Sequence, residues 1–236
     1  SFGEGGKIDL RSGMPEAARN KFVISNTPGT IFRDMIIMPL RVDESVGAAP
    51  GDIMAFNVRT GKLEWVFHTI PHPSEVGYGS WENPGTYLND QVGAANNWAG
   101  MALDEEREIL YVPTGSAAPD FYGGIRKGMN LFSDCLLALD ANTGERLWHF
   151  QFVHHDLWDR DLSANPNLVD IFQDGREIEA VAQITKLGRP ISLMHVTVNH
   201  QHALHSSNGS FVQGFIRHKV GCHRDKHIAG PGRQGG

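Results

Sequence analysis

The chain of 236 residues carries a net charge of −6 and is 40% hydrophobic, enough apolar content for the core of one large domain or two small ones. The negative balance argues against a nucleic-acid partner, which needs a basic face, and no apolar run approaches the roughly 18 residues of a membrane-spanning helix. Twenty-seven glycines, set between short apolar segments, point to an all-β protein with many turns.

The opening Ser1-Phe2-Gly3-Glu4-Gly5-Gly6 has no initiator Met, basic region or apolar run, so any signal peptide is expected upstream of it. The first clear element is Ala55-Phe56-Asn57-Val58-Arg59-Thr60-Gly61-Lys62-Leu63-Glu64-Trp65. It reads as a hairpin: an apolar strand ends at Asn57, whose side chain can bond the turn backbone, and Gly61 permits the reversal. After a loop at 70–97, Ala102-Leu103-Asp104 and Ile109-Leu110-Tyr111-Val112 predict another strand–turn–strand. A second loop spans 116–130, where Arg126-Lys127 reads as a solvated turn.

The first hairpin then recurs as Ala138-Leu139-Asp140-Ala141-Asn142-Thr143-Gly144-Glu145-Arg146-Leu147-Trp148, with Trp148 83 residues after Trp65. Four strands and two loops per period is the arithmetic of a propeller blade. Trp65 and Trp148 are expected between blades, and the two long loops are candidates for building a site. Cys135 opens an apolar run and is expected as a buried thiol; with Cys222 it makes no disulfide framework.

Val153-His154-His155-Asp156-Leu157-Trp158-Asp159-Arg160-Asp161 follows, with three aspartates in six residues that the residues themselves do not rank. Ala180-Val181-Ala182-Gln183-Ile184-Thr185 predicts a strand leading into Lys186. Residues 187–236 then hold seven of the twelve histidines, one acidic residue (Asp225) and none of the five tryptophans. His195, His200, His202 and His205 follow no strand or helix pattern that would gather them as metal ligands. Codons compatible with 191–200, read two bases on, can spell Phe-Phe-Asp-Ala-Arg-Asp-Gly-Glu-Pro, close to the Asp-Ala-Asn-Thr-Gly-Glu-Arg of the second repeat. Two regions are therefore expected: 1–186, a partial propeller, and 187–236, an aberrant, disordered tail from a reading-frame error near 187–191.

The Ala-x-Asp-x-x-Thr-Gly-x-x-x-Trp hairpin resembles the tryptophan-docking motif of propellers that bind pyrroloquinoline quinone (PQQ). Non-enzymatic propellers of outer-membrane assembly lipoproteins share it. The segment Val153 to Asp161 is similar to its counterpart in the membrane-bound glucose dehydrogenase branch of the PQQ-dependent dehydrogenases. Trp98-Ala99-Gly100 and Ala118-Pro119-Asp120-Phe121-Tyr122-Gly123-Gly124 occur in that family's order. The resemblance covers residues 1 to about 186. It implies an eight-bladed propeller with the cofactor over its axis, of which this chain supplies two to three blades. The chain is therefore expected to be a fragment, inactive or poorly folded alone, because an open array exposes blade faces and a sheet edge.

The resemblance also implies roles. Oxidising a hydroxyl requires a carboxylate to take the proton while the quinone takes the hydride. Asp159 matches the family's proposed base, with turn-bonding aspartates such as Asp156 and Asp161 as the plainer alternative. Lys186, 27 residues on, matches a lysine whose ammonium contacts the quinone oxygens. Trp98 matches the indole on which the quinone stacks, a core tryptophan being the alternative. Ca²⁺ is implied as a Lewis acid wanting oxygen ligands; Asp43 and Glu44 fall where the family places acidic or amide ligands, or are a surface pair. The alcohol dehydrogenase branch has an Asn ligand before its Pro, where this sequence has Ala118. His154 and His155 are assigned to shaping the site.

The expected activity is oxidation of a glucose-like sugar or polyol, with a periplasmic location, membrane-associated in the full-length protein. A membrane quinone or a cytochrome is the expected acceptor. An alcohol substrate is the nearest alternative, although the paired cysteines of that branch are absent here. A non-catalytic propeller that binds proteins is the other class, and it would need the docking tryptophans but not Trp98, Asp159 and Lys186 together.

Overall fold

A computed structural model describes residues 2–83, 85–173 and 175–186, with the backbone of Ser192–His195 and Phe215–Ile216. Three four-stranded antiparallel sheets dominate. The first is formed by Thr30–Phe32, Met35–Met38, Ile53–Asn57 and Leu63–Phe67, and the second by Ala102–Asp104, Ile109–Pro113, Cys135–Asp140 and Arg146–Gln151. The third comprises Asn167–Gln173, Arg176–Gln183, Ser192–His195 and Phe215–Ile216. In each sheet the strands pair in chain order, the meander of a propeller blade. The fold is all-β, a partial propeller that does not close. Apart from the two segments that extend the third sheet, 187–236 lies outside the described residues, and the expected aberrant tail lies there with it.

The repeated hairpins have the same local chemistry. Asn57 Oδ1 accepts the backbone N–H groups of Arg59 and Thr60, both at 3.0 Å. Asp140 Oδ1 accepts those of Asn142 and Thr143 at 2.8 and 3.1 Å. Gly61 and Gly144 follow at φ of 72° and 74°, the left-handed region that a Cβ disfavours. Both hairpins also have a register shift at the same place, after Ala55 and after Ala138.

Strands between two neighbouring blades bury both faces, so the burial of Ile109–Pro113 and of Cys135 to Leu139 is continuous and does not alternate. One cluster joins Ile37, Ile53 and Trp65 of the first sheet to Leu110, Val112 and Leu137 of the second. Another joins Tyr111, Leu136 and Ala138 to Val181 of the third. Cys135 is a fully buried free thiol. Around the rim, Arg33 in a turn of the first sheet meets Glu108 in the equivalent turn of the second, and Arg107 meets Glu179 of the third; such exposed pairs contribute little. No helix among the described residues is long and apolar enough to cross a membrane.

Trp65 docks on the backbone of the next blade: a Cβ on Gly144 would lie 2.5 Å from its indole. The Gly61 turn is filled in the same way by the N-terminal segment, where a Cβ would lie 2.6 Å from Ile8 and 2.9 Å from the Gly3 nitrogen. Gly144→Ala is expected to cost about 1–2 kcal/mol for the left-handed backbone, plus the displacement of Trp65. Gly175, also at φ 74° but with open space around its missing Cβ, supplies the control. In chemical denaturation of the intact protein, Gly144→Ala should lower stability clearly more than Gly175→Ala.

Candidate active site

The loops flagged by their length build a single cleft. Gly93–Ala94 pairs with Ala117–Ala118, closing the loop after the first sheet onto the loop inside the second. The Asn96 amide donates to the Leu40 carbonyl (2.6 Å) and the Leu40 N–H to the Asn97 carbonyl (2.7 Å). The Asn97 amide donates to the carbonyls of Pro113 (2.6 Å) and Gly100 (2.8 Å). The Thr27 hydroxyl donates to the Trp98 carbonyl at 2.7 Å. Trp98 is thereby held at the cleft wall, half-buried, rather than in a core.

The cleft encloses about 480 Å³ and is lined by Glu44, Trp98, Ser116, Asp120, Asp161 and Lys186, with Asn26, Thr27, Arg41, Asn96 and Ser163 among its other walls. At its centre the buried carboxylate of Asp161 accepts three donors: the Trp98 indole N–H (3.0 Å), the Ser116 N–H (2.7 Å) and the Lys186 ammonium (3.0 Å). Gly115 makes this approach possible, since a Cβ there would lie 2.6 Å from Asp161 Oδ1. Lys186 Nζ also reaches both oxygens of Asp159 at 3.0 Å and lies 5.9 Å from the Trp98 ring centre. Asp159 sits at φ 52°.

A second layer of polar groups backs the first. Asp156 accepts the Ser116 hydroxyl (2.6 Å) and the N–H groups of Trp158 (3.1 Å) and Arg160 (2.6 Å). Arg126 was expected as a solvated turn residue and is instead fully buried. Its guanidinium donates to the carbonyls of Pro119 (3.1 Å) and Asp156 (2.5 Å) and to Asn130 Oδ1 (2.9 Å). A buried guanidinium needs such acceptors, and here they staple the 116–130 loop to the 153–161 segment. His155 serves the same junction, its Nδ1 lying 2.9 Å from the Gly128 carbonyl; His154 is exposed.

The electrostatics mark a place for positive charge. Burial, and then the carboxylates of Asp161, Glu44 and Asp159, push Asp120 up to about 7. Asp120 is 3% exposed, one of its oxygens is buried without a hydrogen-bond partner, and its N–H donates to the Glu44 carbonyl at 3.2 Å. Asp134, behind the cleft, is pushed up to about 8 by burial and then by Asp156 and Asp161. Burial raises Asp159 above the ordinary carboxylate value, with Lys186 opposing that rise and Asp161 adding to it. Burial works against the charge on Lys186, but its bonds to Asp159 and Asp161 outweigh that and raise its pKa. A cluster of acidic oxygens with an unmatched lone pair fits a hard cation such as Ca²⁺. Glu44 and Asp120 are the residues that would hold it.

Four of the five singled-out residues thus come together: Glu44, Trp98, Asp159 and Lys186. Asp43 does not join them; it is exposed and its carboxylate accepts the Ser45 N–H (2.8 Å) and hydroxyl. Two residues were missed. Asp120 lies within Ala118-Pro119-Asp120-Phe121-Tyr122-Gly123-Gly124, two residues after Ala118, which stands where the alcohol branch has its ligand. Asp161 passed for a turn aspartate, and only the structure reveals its three donors.

Residues 1–193 match the family described as PQQ: Glucose/ethanol/alcohol dehydrogenase, beta-propeller domain, and the chain belongs to that family. It is 33% identical over 197 residues to quinoprotein glucose dehydrogenase A of Acinetobacter calcoaceticus, covering 81% of this chain and 24% of that protein. To the quinate/shikimate dehydrogenase (quinone) of Acinetobacter baylyi it is 35% identical over 202 residues, covering 83% and 24%. The quinohemoprotein alcohol dehydrogenase of Comamonas testosteroni shares the fold, with a TM-score of 0.65 at 23% identity over 79% of this chain and 28% of that one. The chain therefore spans about a quarter of the length of the curated relatives it matches.

The raised pKa of Asp120 has a consequence for stability. The unfolded chain releases this proton near the ordinary value of about 4, the folded chain only near 7. The native state therefore binds more protons across that window, and stability falls as pH rises through it. The melting temperature of the cation-free protein should fall between pH 5 and 7.5. Asp120→Asn should make that fall shallower, leaving the parts due to Asp52, Asp134 and Asp159, whose pKa values burial also raises, and millimolar Ca²⁺ should restore stability at the upper end in the wild type only.

Proposed function

We propose that the cleft is part of the active site of a PQQ-dependent dehydrogenase that oxidises a hydroxyl of a glucose-like sugar or polyol. The observation that carries the reading is the Lys186 ammonium, 3.0 Å from both Asp159 and Asp161 and 5.9 Å from the Trp98 ring. A cation, a carboxylate with an elevated pKa and an aromatic face on one wall are what proton removal beside a planar acceptor needs.

In this reading PQQ supplies the two-electron acceptor when bound. The Trp98 indole offers the surface on which a planar ring stacks, and Asp161 fixes its orientation through the indole N–H. Lys186 stabilises negative charge at the acceptor's oxygens while keeping Asp159 ionised. Asp159 then takes the proton of the substrate hydroxyl. Glu44 and Asp120 would hold a Ca²⁺ ion, which would supply Lewis-acid polarisation. The family resemblance adds to the proposal a periplasmic location, a membrane quinone or cytochrome as acceptor, and remaining blades contributed by the rest of a longer polypeptide. The proposal also retains a reading-frame error near 187–191, tested by resequencing the coding strand across codon 190.

The decisive experiment reconstitutes the intact protein with PQQ and Ca²⁺ and assays dye-linked oxidation of glucose, quinate, glycerol and ethanol. Asp159→Asn should lower kcat by about two to four orders of magnitude, the usual contribution of a general base, with PQQ binding retained. Turnover of ethanol but neither glucose nor polyol would replace the sugar reading with the alcohol one. Absence of PQQ binding would leave a propeller that only binds proteins.

A pH profile separates the role of Lys186 from that of Asp159. Activity should rise with pH as Asp159 ionises. Lys186→Ala removes the ammonium that opposes the elevation of its pKa, so at saturating PQQ the rising limb should move to higher pH. An unmoved limb would show that Lys186 does not act on the base.

A further inference from the structure

The loop leaving the first sheet carries a cluster that the cleft does not use. Directly after Leu63–Phe67, residues 68–75 curl back on themselves: the Glu75 N–H donates to the His72 carbonyl (3.0 Å), and Ser74 turns the chain at φ 73°. The curl brings the side chains of His68, His72 and Glu75 together. Nδ1 of His68 lies 2.9 Å from Glu75 Oε1, the His72 N–H donates to Glu75 Oε2 at 2.7 Å, and one ligand atom from each side chain lies within 4.8 Å of the others. The two imidazoles stack at 3.7 Å, and the His72 ring lies 4.7 Å from that of Tyr87.

We propose that His68, His72 and Glu75 form a binding site for one divalent transition-metal ion of the zinc type, separate from the cleft. Two imidazole nitrogens and a carboxylate oxygen are a ligand set that Zn²⁺ accepts, with a fourth position open to water. Imidazole ligation also sets the site apart from Ca²⁺, which takes oxygen ligands. Ligands at zinc bond lengths stand about 3.4 Å apart in a tetrahedron, so separations of up to 4.8 Å close by at most about 1.4 Å. The exposed side chain of Glu75 and the half-buried rings leave room for that adjustment. The base of the loop is fixed: the Thr69 N–H donates to the buried carboxylate of Asp52 at 3.2 Å, and the Phe132 N–H donates to the Thr69 carbonyl at 2.7 Å. A bound ion would pin the loop that leads to Trp98.

The test is calorimetric titration of the intact, chelator-treated protein with Zn²⁺, Co²⁺ and Ca²⁺, for the wild type, His72→Gln and Glu75→Gln. Because a chain with ten other histidines offers zinc further single-imidazole contacts, the reading is the difference between proteins. The wild type should bind one Zn²⁺ more than either variant, with affinity at that site falling by at least about 10-fold on substitution. Its Co²⁺ complex should show tetrahedral visible absorption that both variants lose, and Ca²⁺ should give no such difference. Equal zinc stoichiometry and equal Co²⁺ spectra in wild type and Glu75→Gln, an isosteric change at an exposed residue, would overturn the proposal whatever His72→Gln does to folding.

Discussion

The cleft depends on one carboxylate. Asp161 is buried, and a buried carboxylate without partners would be driven to neutrality or out of its site. It has three donors from three separate stretches of chain: the Trp98 side chain, the Ser116 backbone and the Lys186 ammonium. Satisfying that charge brings those stretches to one point. The close packing at Gly115, the orientation of the Trp98 ring and the position of the ammonium beside Asp159 follow from the same bonds. Asp156 and Arg126 perform a similar service one layer further out, where the guanidinium binds carbonyls of both loops.

The sheets provide the rigid frame for this arrangement. Because the inner strands of the second blade bury both faces, a strand such as Cys135–Asp140 has no freedom to slip in register: a shift of one residue would bring Asp140 into the core between blades. The loops between and within blades, by contrast, carry the polar groups whose burial has to be compensated bond by bond. The division of labour is physical: dispersion and apolar burial hold the blades, and charge and hydrogen bonding hold the cleft.

This division also explains what could be read from the sequence. The blade hairpins were legible because their chemistry is local: Asn57 or Asp140, then Gly61 or Gly144, then Trp65 or Trp148, at fixed short spacing. The gathering of Trp98, Asp159 and Lys186 was legible only through family resemblance, since 61 residues separate Trp98 from Asp159 and nothing in their spacing brings them together. Asp161 could not be ranked against Asp156 and Asp159, and Asp120 carried no signal of its own, because what distinguishes both is a set of neighbours distant along the chain. Arg126 was misread for the same reason. In sequence it is a charged residue beside a glycine-rich stretch, and its burial becomes intelligible only when the carbonyls of Pro119 and Asp156 converge on it.

The two hairpin turns receive different guests in the same kind of seat. On the second blade the bare backbone at Gly144 accepts an indole from its neighbour; on the first, the seat at Gly61 is taken by Gly3 and Ile8. Within these blades the same backbone concavity thus accepts two chemically different occupants, an indole edge at Gly144 and an aliphatic side chain with main-chain atoms at Gly61.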